Sequence, residues 1–204
     1  MRRIIFSGVH AVGKTTYAKK LLAICKSQGY NTRIYSLDNF RIYRTEKTAS
    51  SQFDRLYYGN QKLKEAEEES PEIAIFDRAL SDNILYSKCF NRFMDGNQKK
   101  YISDEELLNI TQYYQSLETR KTKFESTIIF LNPPLESLIK NIKERGREKD
   151  NILETEDFVT CLKKVFESYY HQYFESPCIE LTNYTETDII NLLKTHDIIQ
   201  ADYE

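Results

Sequence analysis

Five short apolar runs rich in β-branched residues punctuate the chain at residues 3–7, 33–37, 72–76, 127–131 and 178–182. Between them, apolar residues recur at helical rather than alternating spacing. Continuous apolar strands separated by amphipathic helices indicate a parallel sheet covered on both faces, because such strands have no solvent side to mark with polar residues. The first helix is expected to open at Gly13 or Lys14, to run through Tyr17, Leu21, Leu22 and Cys25, and to stop at Gly29. A second falls on Phe53, Leu56, Tyr57, Leu63 and Ala66, ahead of Pro71. Ser103 with Glu106 reads as a capping box, followed by the stripe Leu107, Ile110, Tyr114 and Leu117. Two further helices are marked by Leu135, Leu138, Ile139 and Ile142, and by Phe158, Leu162, Val165, Tyr169 and Tyr173. No repeat and no Gly/Ser linker divides the sequence, so residues 1–204 are expected to form one α/β domain with a five-stranded parallel sheet flanked by helices.

Composition narrows the class. The 204 residues carry 29 basic and 31 acidic side chains, a formal net charge of -2. A general nucleic-acid binder would carry a basic excess, so nucleic acid is not an expected partner. The start, MRRIIFSGVH, has a basic pair but only a very short apolar run, and nowhere is there an apolar stretch of about 18 residues. Neither secretion nor membrane insertion is therefore expected. Cys25, Cys89, Cys161 and Cys178 are scattered without a C-x-x-C pair and read as free thiols in a reducing cytoplasm.

Residues 8–16, GVHAVGKTT, fit the pattern G-x-x-x-x-G-K-[ST]. The match follows the apolar run Ile4-Ile5-Phe6 and opens the first helix, which is the context a phosphate cradle requires. Gly8 and Gly13 let the backbone curl so that successive N–H groups point inward, and the helix N-terminus adds partial positive charge. The ATP-binding set is accordingly Gly8, Val9, His10, Ala11, Val12, Gly13, Lys14, Thr15 and Thr16. Lys14 can reach the β- and γ-phosphates, and the Thr15 hydroxyl can hold Mg²⁺. His10 reads as a variable loop position with no catalytic role. The third run ends in Asp77, and a strand-end carboxylate of a parallel sheet lies on the same rim as the phosphate loop, where it can orient Mg²⁺; the alternative is an aspartate paired with Arg78.

The guanine-reading N-K-x-D motif of GTPases is absent, and motor ATPases need longer chains. A small-molecule kinase fits better. It requires cations that close over the transferring phosphoryl group, and residues 143–150, KERGREKD, offer Arg145 and Arg147 around a Gly146 hinge. Alone, that stretch would pass for a solvated mixed-charge loop.

With the loop GVHAVGKTT, the strand-end pair in IAIFDRALSDN and the segment IIFLNPPLESLIKNIKERGREKDN in this order, the chain resembles the deoxynucleoside kinase and thymidylate kinase superfamily over most of its length. The resemblance implies a P-loop kinase fold with a short arginine-bearing lid near residues 144–152. It also implies ATP- and Mg²⁺-dependent phosphoryl transfer to the 5′-hydroxyl of a (deoxy)nucleoside. Arg145 and Arg147 fall on the R-x-R of the deoxynucleoside kinase lid, and Asp77-Arg78 on the family's acidic-Arg pair, with Asp77 assisting Mg²⁺ and Arg78 steering the acceptor. Gln52 lies where the family places a glutamine that bonds the base edge, but the arginine expected two turns later is Gly59. Phe40, Phe53, Tyr57 and Tyr86 are candidate stacking surfaces.

Other departures shape the expectations. The family's Glu-Pro and the thymidylate kinase Arg-Glu-Pro-Gly signature are both missing, and residues 36–40 read SLDNF instead. Asp38 can supply the carboxylate that accepts the hydroxyl proton. Asn141 replaces a further lid arginine. A nucleoside monophosphate acceptor stays open, with Arg41 and Arg44 as a replacement clamp, as does a regulatory ATPase without a small acceptor. The helix through Leu107 and Leu117 could furnish a homodimer interface.

Overall fold

A computed structural model describes residues 2–37, 48–93, 100–118, 125–145, 153, 155–173 and 177–195. Its strands are β1 (Arg2–Ser7), β2 (Thr32–Tyr35), β3 (Ile73–Phe76), β4 (Glu125–Leu131) and β5 (Cys178–Leu181). Its helices are α1 (Lys14–Ser27), α2 (Ala49–Glu69), α3 (Leu80–Arg92), α4 (Asp104–Glu118), α5 (Leu135–Arg145), α6 (Glu156–Tyr169) and α7 (Glu186–Thr195). The strands form one all-parallel sheet in the order β2-β3-β1-β4-β5. β1 lies at its centre, with Ile4 opposite Ile75 of β3 and Thr127 of β4. The order reverses direction on either side of β1, so the crevice beyond its C-terminal end is where an open α/β sheet receives a ligand.

Alternation along the central strands divides the core. Ile4, Phe6, Ile73 and Ile75 enter a large cluster with Leu21 of α1, Leu85 of α3 and Phe158 of α6, whereas Ile5, Ala74 and Phe76 join a smaller one with Tyr35 and Ala66. Both faces are covered, as the continuous apolar strands implied.

The five expected strands are present, with ends shifted by one or two residues: β2 stops before Ser36, and β4 begins at Glu125. Both arms of the capping box form, since the Ser103 N–H donates to Glu106 Oε2 (2.7 Å) and the Glu106 N–H to Ser103 Oγ (3.2 Å). Tyr173 falls outside α6, beyond a 3-10 turn at Tyr170–Gln172. Helices α3 and α7 were not expected. In α3 (LSDNILYSKCFNR), Ser81, Asp82, Ser87 and Asn91 are buried along with Leu80, Ile84, Leu85 and Phe90. A helix surrounded by protein has no polar face, so its periodicity disappears. In α7, among the residues whose burial is described, only Ile189 and Leu193 are buried, which leaves a thin stripe.

On α4, Ile110, Tyr114 and Leu117 are buried in the chain's own core. A homodimer through this helix would use its other face, where Leu108 is 56% exposed. All four cysteines are free; Cys89 and Cys161 meet at 3.5 Å between α3 and α6, and burial pushes the Cys89 thiol well up, as suits a packing role. Among the described residues no helix is long and apolar enough to cross a membrane.

Candidate active site

β1 ends at Ser7 and α1 starts at Lys14, so the six residues between must turn the chain back over the sheet edge. Gly8 has φ +135°, and a Cβ there would stand 2.4 Å from the Leu131 carbonyl oxygen of β4. No larger residue fits. Gly13 caps α1 in the left-handed region. Lys14 is only 6% exposed, and its ammonium donates to the carbonyls of Gly8 (2.6 Å) and Val9 (2.7 Å), holding the cation inside the curl.

At the end of β3, Asp77 is buried and accepts from Ser36 Oγ (2.8 Å) and the Leu37 N–H (3.0 Å), which ties the β2 exit to this carboxylate. Thr15 Oγ1 lies 3.5 Å from Asp77 Oδ2. The sheet thus brings together a hydroxyl and a carboxylate that are 62 residues apart, and hard oxygen donors of this kind suit Mg²⁺.

Arg78, next in sequence, sets its guanidinium 6.0 Å from the Tyr86 ring centroid. The Tyr86 hydroxyl reaches the phosphate loop, 3.0 Å from the His10 backbone nitrogen and 3.1 Å from its Nδ1. Tyr86 is therefore a bridge from α3 to the loop. Burial, with Lys14, Arg78 and Arg145 nearby, lowers the His10 ring to about 3, so it is neutral.

Sequence reading passed over Asp82. It is 1% exposed; its Oδ1 accepts from Ser7 Oγ at the end of β1, and its Oδ2 has no hydrogen-bond partner among the described residues. Burial raises its carboxyl to about 6, against the opposing pull of Lys14, Ser7 and Arg78. Its place inside an unrecognised helix hid it.

A cleft of about 320 Å³ opens on the other side of the loop, lined among others by Thr16, Tyr17, Pro134, Asn141, Asn183 and Tyr184. Asn141 does more than fill the place of an absent arginine, because its amide donates to the Ala11 carbonyl (3.3 Å). Tyr184 donates to the Val12 carbonyl (2.9 Å) and packs edge-on against Tyr17. The β5–α7 connection thus forms one wall, and no motif in it signalled that position.

On the acceptor side, Gln52 is 1% exposed and its Oε1 has no hydrogen-bond partner among the described residues. Two turns on, the surroundings of Gly59 are apolar: a Cβ there would lie 2.2 Å from Leu80 Cδ2. Leu80 fills the space an arginine at position 59 would contest. Tyr57 is 58% exposed, one step past buried Leu56, so it stands on the outer face of α2 and is not gathered with Gln52. Phe53 packs on Tyr113 of α4 at 5.6 Å between centroids. Asp38, Phe40, Arg41, Arg44 and Arg147 lie outside the described residues, as does most of the expected lid; Arg145 is the last residue of α5.

A family model described as deoxynucleoside kinase matches residues 4–201. The fold is similar to that of a deoxyadenosine kinase from M. mycoides solved with products dCMP and a flexible dCDP, at 22% identity and TM-score 0.70, covering 97% of this chain and all of that one. The dATP-bound structure of that enzyme gives 20% identity and TM-score 0.69 over the same shares. A thymidylate kinase from Candida albicans gives 17% and 0.63, over 96% of this chain and 92% of that one. No curated protein matches the sequence significantly.

Proposed function

The chain belongs to the deoxynucleoside kinase family, whose reaction is ATP-dependent phosphorylation of a nucleoside, and from that premise we propose how its residues divide the work. The loop of residues 8–16 cradles the phosphates of ATP, with Lys14 facing the charge that shifts on transfer. The donor base enters the cleft beside Tyr17, Asn183 and Tyr184. Thr15 and Asp77 would hold Mg²⁺, which would supply neutralisation of phosphate charge. Gln52 reads the base edge of the acceptor, and Arg78 steers its 5′-hydroxyl. Asp38 accepts the hydroxyl proton during in-line attack. Arg145 and Arg147 close over the transferring group. The setting is the cytoplasm, which the free thiols suit.

The observation that carries this reading is the approach of Thr15 Oγ1 to Asp77 Oδ2 beside the buried Lys14 ammonium. Two strand ends and one helix start converge there on groups that suit a metal-bound triphosphate. The competing reading is a regulatory ATPase with the same cradle. ATP consumption, measured with and without a mixture of the four deoxynucleosides, separates the two. Consumption that depends on the mixture supports the kinase; slow hydrolysis indifferent to every acceptor sinks it.

A further inference from the structure

Two carbonyls of the phosphate loop are held from outside it. The Tyr184 hydroxyl, on the β5–α7 connection, donates to the Val12 carbonyl (2.9 Å), and the Asn141 amide of α5 donates to the Ala11 carbonyl (3.3 Å). The carbonyls of Gly8 and Val9 behave differently, since both accept from the Lys14 ammonium inside the curl. Among the described residues no peptide is cis, and across a trans peptide plane the N–H points opposite to the C=O. Drawing the Ala11 and Val12 carbonyls toward α5 and the β5–α7 connection therefore turns the N–H groups of Val12 and Gly13 the other way, toward the inside of the loop. Local backbone preference does not enforce this arrangement: Ala11 has φ +63°, a left-handed conformation that a residue with a Cβ disfavours. Such a conformation persists where its surroundings over-determine it.

The outside residues are anchored in turn. Just past Tyr184, the Thr185 N–H donates to Asp188 Oδ2 (2.6 Å) and the Asp188 N–H to Thr185 Oγ1 (3.3 Å), a reciprocal cap that fixes the start of α7. The Tyr184 ring packs edge-on against Tyr17, and Leu138 and Ile142 seat α5 in the core. Burial pushes the Tyr184 phenol up, so it keeps its proton and remains a donor. We propose that Tyr184 and Asn141 are positioning residues for phosphate binding: by taking the Val12 and Ala11 carbonyls outward, they pre-set the Val12 and Gly13 amides to donate to nucleotide phosphate. The inference rests on the cradle reading above and deepens it. Asn141 lies four residues before Arg145, on the same side of α5, so the helix that bears a lid cation also sets one amide of the loop. The competing role is shape alone, because both residues line the cleft beside the loop. Yet the Tyr184 hydroxyl proton is committed to Val12, which leaves only the ring for a base.

A probe without a base separates the two roles. Inorganic Mg-tripolyphosphate and Mg-ADP are titrated calorimetrically into wild type, Tyr184→Phe, Asn141→Ala, Asn141→Gln and the double variant Asn141→Ala with Tyr184→Phe. Tyr184→Phe keeps the ring on Tyr17 and should weaken both probes by the same factor, about 3- to 10-fold, the worth of one hydrogen bond. Asn141→Ala, which loses the longer bond of 3.3 Å, should cost about two- to threefold, and Asn141→Gln, which keeps an amide donor, should recover it. The double variant should lose about tenfold or more for each probe. Mg-tripolyphosphate affinity within about twofold of wild type in the double variant, whether or not Mg-ADP weakens, overturns the proposal and leaves the two residues as cleft walls. Should the double variant not fold, the ratio of the two probes in Tyr184→Phe decides in the same way. A wild type that does not bind Mg-tripolyphosphate overturns the proposal too, since the loop would then not hold phosphate unaided. Failure of wild type to phosphorylate any nucleoside, with the probe pattern as expected, overturns the kinase reading alone.

Discussion

The proposed donor side is nine consecutive residues, and much of its structure is backbone: the curl of residues 8–13, the helix start at Lys14, and carbonyls that hold a cation. On the acceptor side as proposed, Gln52 comes from α2, Leu80 from α3, Arg78 from the turn after β3 and Asp38 from the stretch of sequence after β2. The contrast teaches why one half is written in a motif and the other is not. A backbone that must bend a certain way dictates glycines at fixed spacing. A pocket assembled from distant side chains asks of each only a shape and a polar atom, and many residue types supply those.

Substitutions on each side should therefore fail differently. Lys14→Ala should reduce turnover on the order of 100- to 1,000-fold while leaving the thermal midpoint near wild type, because it removes a cation facing developing charge. Near-normal turnover would remove the donor side from the comparison. Gly59→Ala probes the acceptor wall through stability, since the added Cβ meets Leu80 Cδ2 at 2.2 Å inside a packed helix pair. Overpacking of this kind costs about 1–3 kcal/mol, and for a chain of this size each kcal/mol lowers Tm by roughly 2–4 °C. An unchanged Tm would mean that the α2–α3 contact yields freely.

A subtler pair of effects sharpens the boundary. Gln52→Ala should raise KM for the nucleoside about tenfold, near the value of one or two hydrogen bonds to a buried base, with KM for ATP unchanged; a parallel rise in both would deny Gln52 to the acceptor side. Asp82 sits between the regions, bonded to Ser7 below the donor loop and influenced by Arg78. Its folded-state pKa, about 6, is above the unfolded value, so the folded protein holds this proton longer and stability falls as pH rises from about 4 to about 6, then levels. In urea titrations, the advantage of Asp82→Asn over wild type should therefore be larger at pH 7.5 than at pH 5, by on the order of 1 kcal/mol. A difference independent of pH would show that the carboxyl does not titrate in this window.

The sheet was legible because its strands are apolar on both faces, and α1, α2, α4, α5 and α6 because each shows one buried stripe. Helix α3 was not, since burial on all sides erased the stripe and with it the context of Asp82 and Tyr86. Residues 8–16 announced themselves, yet the contact of His10 with the Tyr86 hydroxyl, 76 residues away, did not. Tyr57 shows what spacing along a helix leaves out. It lies on the same helix as Gln52, but one residue is 100° of helix, so Tyr57 is exposed where its neighbour Leu56 is buried.

The central claim is that the acceptor side takes a nucleoside, and it is tested most directly by kcat/KM for each deoxynucleoside beside its own monophosphate at saturating Mg-ATP. A monophosphate brings about two negative charges near pH 7 and demands an arginine clamp, whereas the segment after β2 reads SLDNF where thymidylate kinases carry Arg-Glu-Pro-Gly. The account predicts a preference for the nucleoside of about tenfold or more, equivalent to some 1.4 kcal/mol of discrimination. A monophosphate preferred by the same margin, and a preference lost in Arg41→Ala or Arg44→Ala, would contradict it and assign those arginines to a phosphate clamp.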